Sequence, residues 1–283
     1  MADWQPTTFL RFIETVDSSS RTAIIETDAG QAYLKAINNP QGVHVLACDW
    51  FGTQLARRFG LPTFDVAILQ LTDDDEIPLD GGFAQIGSAF VARSENGAPL
   101  GGEKAIAKVT NLDDLAKIIV IDTWTKNCDR YGPGLGKAGR ARENLDNLFL
   151  SGENALKGKF VLKPIDFGHI ITCGRELTPR IADIGSIREE RVYGFFPFFE
   201  SHVSRDRIIA ESERLRTIDR DIWQDLLTTL PADWNVSNKV KDAIDRFLIG
   251  RARFLADEFP RLLPAEPEQP AFDFTALEEN END

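Results

Sequence analysis

The segment that most constrains this chain is Pro164–His169, with the sequence Pro-Ile-Asp-Phe-Gly-His, which follows the apolar residues Phe160–Leu162. An aspartate that ends a short buried strand and precedes Phe-Gly is typical of sites where a carboxylate holds Mg²⁺ against nucleotide phosphates. The tripeptide alone occurs by chance in many proteins. Its meaning therefore depends on the polar residues that precede it in the chain.

Two polar segments upstream have the order that such a site needs. Asp129 lies in Asn127–Arg130, at the end of a predicted helix, and Asn147 directly precedes the apolar residues Leu148–Leu150. The chain thus presents an aspartate, an asparagine before a strand, a turn and then Asp166. A protein of the kinase type presents its catalytic aspartate and its two metal ligands in this order. The sequence predicts an ATP-dependent phosphotransferase.

These polar residues have separate predicted roles. Mg²⁺ prefers hard oxygen ligands, so Asp166 and Asn147 are predicted to bind the metal. Asn144 also lies just before the strand and stays open as the alternative to Asn147. Asp129 is predicted to be the base that accepts or orients the proton of the acceptor hydroxyl. His169 is a candidate for orienting either aspartate.

The first part of the chain supplies the predicted phosphate contacts. Lys35 lies on a predicted strand among apolar neighbours, where its charge needs partners because desolvating a bare ammonium group is unfavourable. The phosphates of ATP and the carboxylate of Asp49, on the following predicted helix, are the expected partners. Three residues in the turn after the first predicted strand are expected to cover the phosphates with hydroxyl and backbone N–H groups: Ser18, Ser19 and Ser20.

The pattern of apolar residues predicts an α+β chain in which a small β-rich part precedes a larger, mainly helical one. Together with the order of the site residues, this agrees with a two-lobed, protein-kinase-like fold. The small β-rich N-lobe (residues 1–109) is predicted to have one helix (43–59) and strands at 9–13, 22–27, 31–37, 65–71 and 83–92. The larger, mainly helical C-lobe (110–264) is predicted to have two short strands by the site and helices at 111–126, 208–215, 218–230 and 237–259. An acidic tail (265–283) with seven acidic and no basic residues is expected to be disordered.

Charge and hydropathy exclude several functions. A net charge of −13 disfavours binding to nucleic acid, except through the basic loop at residues 137–142. There is no apolar run long enough for a membrane span and no pattern of a signal peptide, so a cytoplasmic protein without membrane contact is expected.

Cysteine and histidine usage excludes further site classes. The scattered cysteines Cys48, Cys128 and Cys173 lack metal-type spacing, and their odd number suits a reducing compartment. Cysteine chemistry is therefore not expected to be part of the function. With three histidines and no histidine pair, a zinc site or a Ser-His-Asp hydrolase is not expected.

Taken together, these motifs resemble the HipA-like kinases, in particular their short, single-domain bacterial branch. The resemblance extends to about Leu263 and rests on the serine turn with Arg21, Tyr33–Lys35, Asp49–Trp50, Leu55–Pro62, Asn127–Arg130, Asn147–Leu150, Ile165–His169 and Leu230–Trp234. It implies a two-lobed fold, ATP with Mg²⁺, and phosphorylation of serine or threonine, including autophosphorylation. Relatives that are toxins of toxin–antitoxin systems further imply a translation-related protein substrate and an inhibitory, antitoxin-like partner.

Two departures from the family pattern leave alternatives open. The asparagine usually follows the catalytic aspartate by about five residues, whereas here the segment Tyr131–Glu143 is inserted between them. This insertion favours a pseudokinase, a nucleotide-binding interaction module without turnover, as one alternative. A lipid or small-molecule kinase of the phosphoinositide-kinase type is another, since it shares the Asp-Phe-Gly arrangement. The helix acid is Asp49 where glutamate is commoner, so a looser pairing with Lys35 is expected.

Overall fold

A five-stranded antiparallel sheet and a single long helix build the first part of the chain. The computed structural model describes residues 4–135 and 137–264. The strand order is β1-β2-β3-β7-β4. The elements are β1 (Phe9–Thr15), β2 (Ala23–Thr27), β3 (Gly30–Lys35), α1 (Val45–Arg58), β4 (Val66–Leu71), the small hairpin β5 (Pro78–Leu79) and β6 (Gly82–Phe83), and β7 (Gly87–Arg93).

Alternation along β3 decides which of its side chains reach the site. Ala32 and Leu34 are fully buried in the core on one face of the sheet, together with Ala23 and Ile25 of β2. Because successive strand residues point to opposite faces, Lys35 projects to the other face, where the cleft lies.

The second part is mainly helical and contains a small three-stranded sheet of order β12-β11-β8. Its elements are β8 (Gly97–Pro99), α2 (Asp114–Thr125), β9 (Tyr131–Gly132), β10 (Arg142–Glu143), β11 (Leu148–Ser151), β12 (Val161–Pro164), α3 (Ile184–Ile187), α4 (Arg205–Glu213), α5 (Gln224–Thr228) and α6 (Asn238–Leu262). Short 3₁₀ turns occupy Glu103–Lys108, Lys137–Gly139, Leu145–Asn147, Pro179–Ala182, Pro197–Ser201, Arg214–Thr217, Arg220–Ile222 and Ala232–Trp234.

The predicted α+β, two-lobed architecture is confirmed, with two local corrections. The helix predicted at 218–230 is broken into a 3₁₀ turn and α5, because the Asp219 side chain accepts from Asp221 N and Trp223 departs from helical backbone angles while its ring is buried. The strand predicted at 83–92 begins only at Gly87, where φ is +130°.

One strand crosses the predicted boundary between the two lobes at residue 110. Strand β8 precedes residue 110 in sequence but pairs with β11 of the second sheet. The predicted tail, 265–283, lies outside the described residues. Among the described residues, no helix combines the length and apolar character that crossing a bilayer requires.

Helix α1 joins the two lobes through an unusually close contact at Gly52. A Cβ atom at this position would lie 2.5 Å from the Cβ of Phe167, the residue that follows Asp166. Just after the end of α1, the ring of Phe59 packs 6.2 Å from that of Trp124 in α2. Because Gly52 has no side chain, the backbone of α1 can lie directly against the Asp-Phe-Gly segment (residues 166–168).

We expect Gly52→Ala to destabilise the protein by about 1–3 kcal/mol, because the added methyl group must displace Phe167 from a packed core. Urea unfolding of the purified protein measures this change. Gly185→Ala is the matched control, since a Cβ there meets nothing within 4 Å. Equal stability of the two variants would contradict the close packing at Gly52.

Candidate active site

A cleft of about 590 Å³ lies between the sheet of the first lobe and the small sheet of the second. Residues from both lobes line it, including the candidates Ser18, Ser19, Ser20, Lys35, Asp49, Asp129, Asn144, Asn147 and Asp166. The structure thus brings together in one cavity all residues that the sequence assigned to phosphate, metal and base.

Lys35 lies in the wall of the cleft and contacts two carboxylates. Its Nζ lies 2.7 Å from Asp49 Oδ2 and 3.2 Å from Asp166 Oδ1, and the residue is 8% exposed. Burial alone would lower the pKa of Lys35, but the carboxylates of Asp166 and Asp49 outweigh it and raise that pKa. The lysine is therefore charged, and the shorter Asp49 reaches it at full ion-pair distance.

Asp49 also positions the Asp-Phe-Gly segment. Its Oδ1 accepts a hydrogen bond of 2.9 Å from the backbone N–H of Phe167. Burial raises the pKa of Asp49, although Lys35 opposes this effect. One buried carboxylate thereby holds both the lysine and the backbone next to Asp166.

Asp166 follows β12 in a left-handed backbone conformation, with φ of +56°. A non-glycine residue in this region is uncommon, and such strain gathers at functional sites. The conformation directs the carboxylate toward Lys35 and leaves the side chain 26% exposed to the cleft.

Asp129 and Asn147 form a second polar pair beside the first. Asn147 Nδ2 donates to Asp129 Oδ2 at 3.0 Å, whereas Asn144 Nδ2 lies 3.5 Å from the same oxygen. The geometry therefore favours Asn147 as the partner of Asp129. Asn147 makes this hydrogen bond with its amide nitrogen and not with its amide oxygen.

The two ends of the inserted segment 131–143 pair with each other, and this pairing is called the hairpin below. These ends form the antiparallel strands β9 and β10, and Asn144 N donates to Arg130 O at 2.9 Å. The hairpin returns the chain to its starting point, which explains how Asn147 contacts Asp129 across 18 positions of sequence. It also brings the guanidinium of Arg142 into an ion pair with Asp129 Oδ1.

Asp129 is surrounded by donors and cations. Burial would raise its pKa, but the neighbouring His169, the amide of Asn147 and the guanidinium of Arg142 together hold that pKa well below the usual aspartate range. His169 Nδ1 lies 3.4 Å from Asp129 Oδ1, a polar contact rather than a short hydrogen bond. Of the two aspartates that the histidine was a candidate to orient, it lies beside Asp129.

A fully buried ion pair beneath the site was missed by sequence reasoning. Arg130 Nε lies 2.7 Å from Asp122 Oδ2, and both side chains are 0% exposed. Arg130 also donates to the backbone carbonyls of Asn147 and Ile165. It therefore ties the segments that carry Asp129, Asn147 and Asp166. The Asp-Arg sequence at residues 129–130 was a local signal for Arg130, but nothing in the sequence identified Asp122 as its partner.

The serine turn lines the cleft, yet its hydroxyls are partly engaged within the protein. Ser20 Oγ lies 2.9 Å from Thr22 Oγ1, and Gln41 Nε2 donates to Ser19 Oγ at 3.0 Å. Ser18 Oγ accepts from Thr22 N at 3.3 Å. These bonds fix the turn over the cleft.

Sequence reasoning assigned no role to the aromatic residues of the cleft. The ring of Phe64 stacks on Tyr33 at 6.2 Å and meets Phe149 edge-on at 4.9 Å. All three residues line the cleft, together with Val66, Phe90, Ala92 and Pro99. This arrangement offers a flat aromatic base an aromatic slot, with Lys163 Nζ 5.7 Å from the centre of the Phe64 ring.

The polar residues of the cleft offer a donor set that fits Mg²⁺. Within residues 4–135 and 137–264, no three His, Cys, Asp or Glu side chains cluster as a metal site. The predicted pair instead offers the Asp166 carboxylate and the Asn147 amide oxygen. Mg²⁺ keeps several waters and takes phosphate oxygens in nucleotide sites, so one or two protein ligands suffice.

Comparison with known proteins supports the fold. No protein-family model and no curated protein matches the sequence. The structure is similar to one described as "Crystal structure of A Helicobacter pylori proinflammatory kinase CtkA", with a TM-score of 0.52 and 11% identity. The match covers 88% of this chain and 96% of that one. The chain therefore has a kinase-like fold.

Proposed function

We propose that this protein transfers the γ-phosphoryl group of ATP, in the presence of Mg²⁺, to a serine or threonine hydroxyl of a protein. One observation carries the proposal: Lys35 bridges Asp49 and Asp166 in the same cleft where Asn147 holds Asp129. A lysine, the oxygens that we propose for Mg²⁺ and the carboxylate that we propose as base thus line a single cavity.

Phosphoryl transfer depends mainly on positioning and charge neutralisation, since little covalent chemistry is asked of the protein. Lys35 supplies a fixed positive charge for phosphate oxygens. Asp166 and Asn147 would hold Mg²⁺, which when bound neutralises charge developing on the phosphates. The aromatic slot around Phe64 accommodates the base and sets the phosphates toward Lys35.

Asp129 orients the acceptor. Its low pKa keeps the carboxylate ionised at neutral pH, so it accepts a hydrogen bond from an incoming hydroxyl. Arg142 currently pairs with this carboxylate and is its most exposed contact, with 44% of the side chain accessible against 14% for His169. An acceptor therefore approaches from the Arg142 side.

The finer assignments rest on the resemblance to HipA-like kinases. We propose a cytoplasmic kinase with autophosphorylation as one reaction, a translation-related protein substrate and an inhibitory partner. The folded hairpin at 131–143 supports turnover over a pseudokinase, because it brings Asn147 to Asp129.

Nucleotide binding tests the role of Lys35. We expect Lys35→Met to weaken the binding of ATP with Mg²⁺ by roughly 10–100-fold, because a charge-assisted contact to phosphate is lost. Titration calorimetry on the folded variant measures the affinity directly. Lys117→Met is the control, since Lys117 is a half-buried lysine that pairs with Asp114 at 2.7 Å and does not line the cleft. Equal affinity of the Lys35 variant and the parent would remove Lys35 from the site.

The pH dependence of turnover tests Asp129. We expect the acid limb of kcat/KM to lie below the usual aspartate range, because the carboxylate stays ionised as pH falls. Arg142→Gln removes one cation and should move that limb to higher pH, with Arg140→Gln as control on the same hairpin. A profile that is identical in all three proteins would argue against Asp129 as the titrating base.

A further inference from the structure

Cys128 and Cys173 lie against each other directly below the proposed active site. Their Cα atoms are 5.6 Å apart, within the range that a disulfide spans, although 45 residues separate them in sequence. The sequence spacing of the cysteines showed no pattern, but the fold brings two of the three thiols together.

The pair connects two segments of the proposed site. Cys128 immediately precedes Asp129, and Cys173 lies in the turn Ile170–Arg175 that follows the Asp-Phe-Gly segment. This turn begins next to His169, whose ring lies 3.2 Å from where a Cβ at Gly174 would sit. A bond between the sulfurs therefore sets the separation of His169 from Asp129.

The turn contains non-glycine residues in a strained backbone conformation. Ile171 and Cys173 have left-handed backbone angles, with φ of +67° and +55°. Ile171 N donates to Thr125 O, and Thr172 Oγ1 donates to Arg175 O. Non-glycine residues keep such angles only when their surroundings enforce them. A covalent tie to Cys128 is one such enforcement.

We propose that Cys128 and Cys173 form a peroxide-responsive dithiol whose oxidation holds the catalytic segment assembled and whose reduction releases it. The half-buried Cys173 thiolate attacks hydrogen peroxide, breaking the O–O bond and releasing hydroxide, to give a sulfenic acid. The Cys128 thiol then attacks that sulfur and the S–O bond breaks, and each of the two departing hydroxides takes up one thiol proton to form water. Two thiols lose two electrons and two protons, and one peroxide becomes two waters.

The remaining cysteine, Cys48, has no cysteine partner. Cys48 lies buried in α1, and burial, followed by the charge of Asp49, raises the pKa of its thiol to about 12. It is therefore a protonated, unreactive thiol and serves as an internal reference. In a reducing compartment a disulfide beside an active site is typically transient or redox-sensing rather than structural.

Thiol counting tests the pair without any assay of activity. The purified full chain is reduced, desalted, exposed to hydrogen peroxide, unfolded in guanidinium and alkylated with N-ethylmaleimide for intact-mass measurement. Reduced protein, with three cysteines, should take three adducts, and oxidised protein only the one at Cys48, with Cys128 and Cys173 linked in the peptide map. Three adducts after peroxide, or a link to Cys48 or between chains, would overturn the proposal. Cys48→Ala should still form the link.

The consequence for the site, which rests on the proposed function, is measured separately. Peroxide should raise ATP turnover by the reduced parent several-fold and leave Cys173→Ser unchanged. A rise of equal size in both proteins, or a fall in the parent, would refute the assembling role. If neither protein turns ATP over in any state, the proposed function is wrong. The bond between Cys128 and Cys173 is then tested by thermal unfolding. Closing it should raise the melting temperature of the parent by several degrees and not that of Cys173→Ser.

Discussion

Asp166→Asn is expected to lower phosphoryl transfer on the order of a thousandfold while the chain stays folded. The amide lacks the charge that holds Mg²⁺ and no longer forms an ion pair with Lys35, which lies 3.2 Å away. The fold should survive because Lys35 keeps its 2.7 Å contact with Asp49 and because Asp166 is partly exposed. ADP formation from ATP and Mg²⁺, with circular dichroism as the check of folding, measures both effects.

A matched variant separates charge loss in general from loss of this carboxylate. Asp146 also lines the cleft, so Asp146→Asn makes the same chemical change at its mouth. It should retain turnover within a few-fold of the parent. Undiminished turnover by a folded Asp166→Asn protein would show that the Asp-Phe-Gly segment does not bind the metal.

Asp122→Ala is expected to reduce the free energy of unfolding by about 3–5 kcal/mol, a large part of the roughly 5–15 kcal/mol available to a typical domain. Asp122 and Arg130 are both fully buried and 2.7 Å apart, and Asn127 Nδ2 donates to the same carboxylate at 3.0 Å. Removing the carboxylate leaves the guanidinium without its counter-charge in the interior. Urea unfolding followed by tryptophan fluorescence measures the loss.

The control for this prediction is an exposed ion pair of similar length. Arg216 lies 2.8 Å from Asp257, with side chains 51% and 67% exposed. Asp257→Ala should change stability by less than about 1 kcal/mol, because solvent screens such pairs. A loss at Asp122 no larger than the loss at Asp257 would contradict a structural role for the buried pair.

Local patterns in the sequence were enough to predict much of the fold. The alternation in β3 and the three-to-four spacing in α1 identified elements that the structure confirms to within a few residues. The order of Asp129, Asn147 and Asp166 predicted residues that the structure places together in one cleft. Such features are local, so composition and spacing reveal them.

The features that sequence reasoning missed depend on contacts between distant segments. Nothing local to Asp122 indicates that it pairs with Arg130, and the spacing of Cys128 and Cys173 matches no disulfide pattern. The hairpin at 131–143 contains only two residues in each strand, too few to produce a recognisable alternation. At 218–230 apolar periodicity could not distinguish a continuous helix from two short pieces around a buried Trp223.

The most direct test of the central claim is the transfer of phosphate from ATP. The purified full chain is incubated with ATP, with and without Mg²⁺, while ADP formation and the intact mass of the protein are recorded beside Asp129→Asn. The account predicts Mg²⁺-dependent ADP formation by the parent, with phosphate added to the chain or to an added protein acceptor, and loss of both in the variant. ATP that neither binds nor is consumed would contradict it.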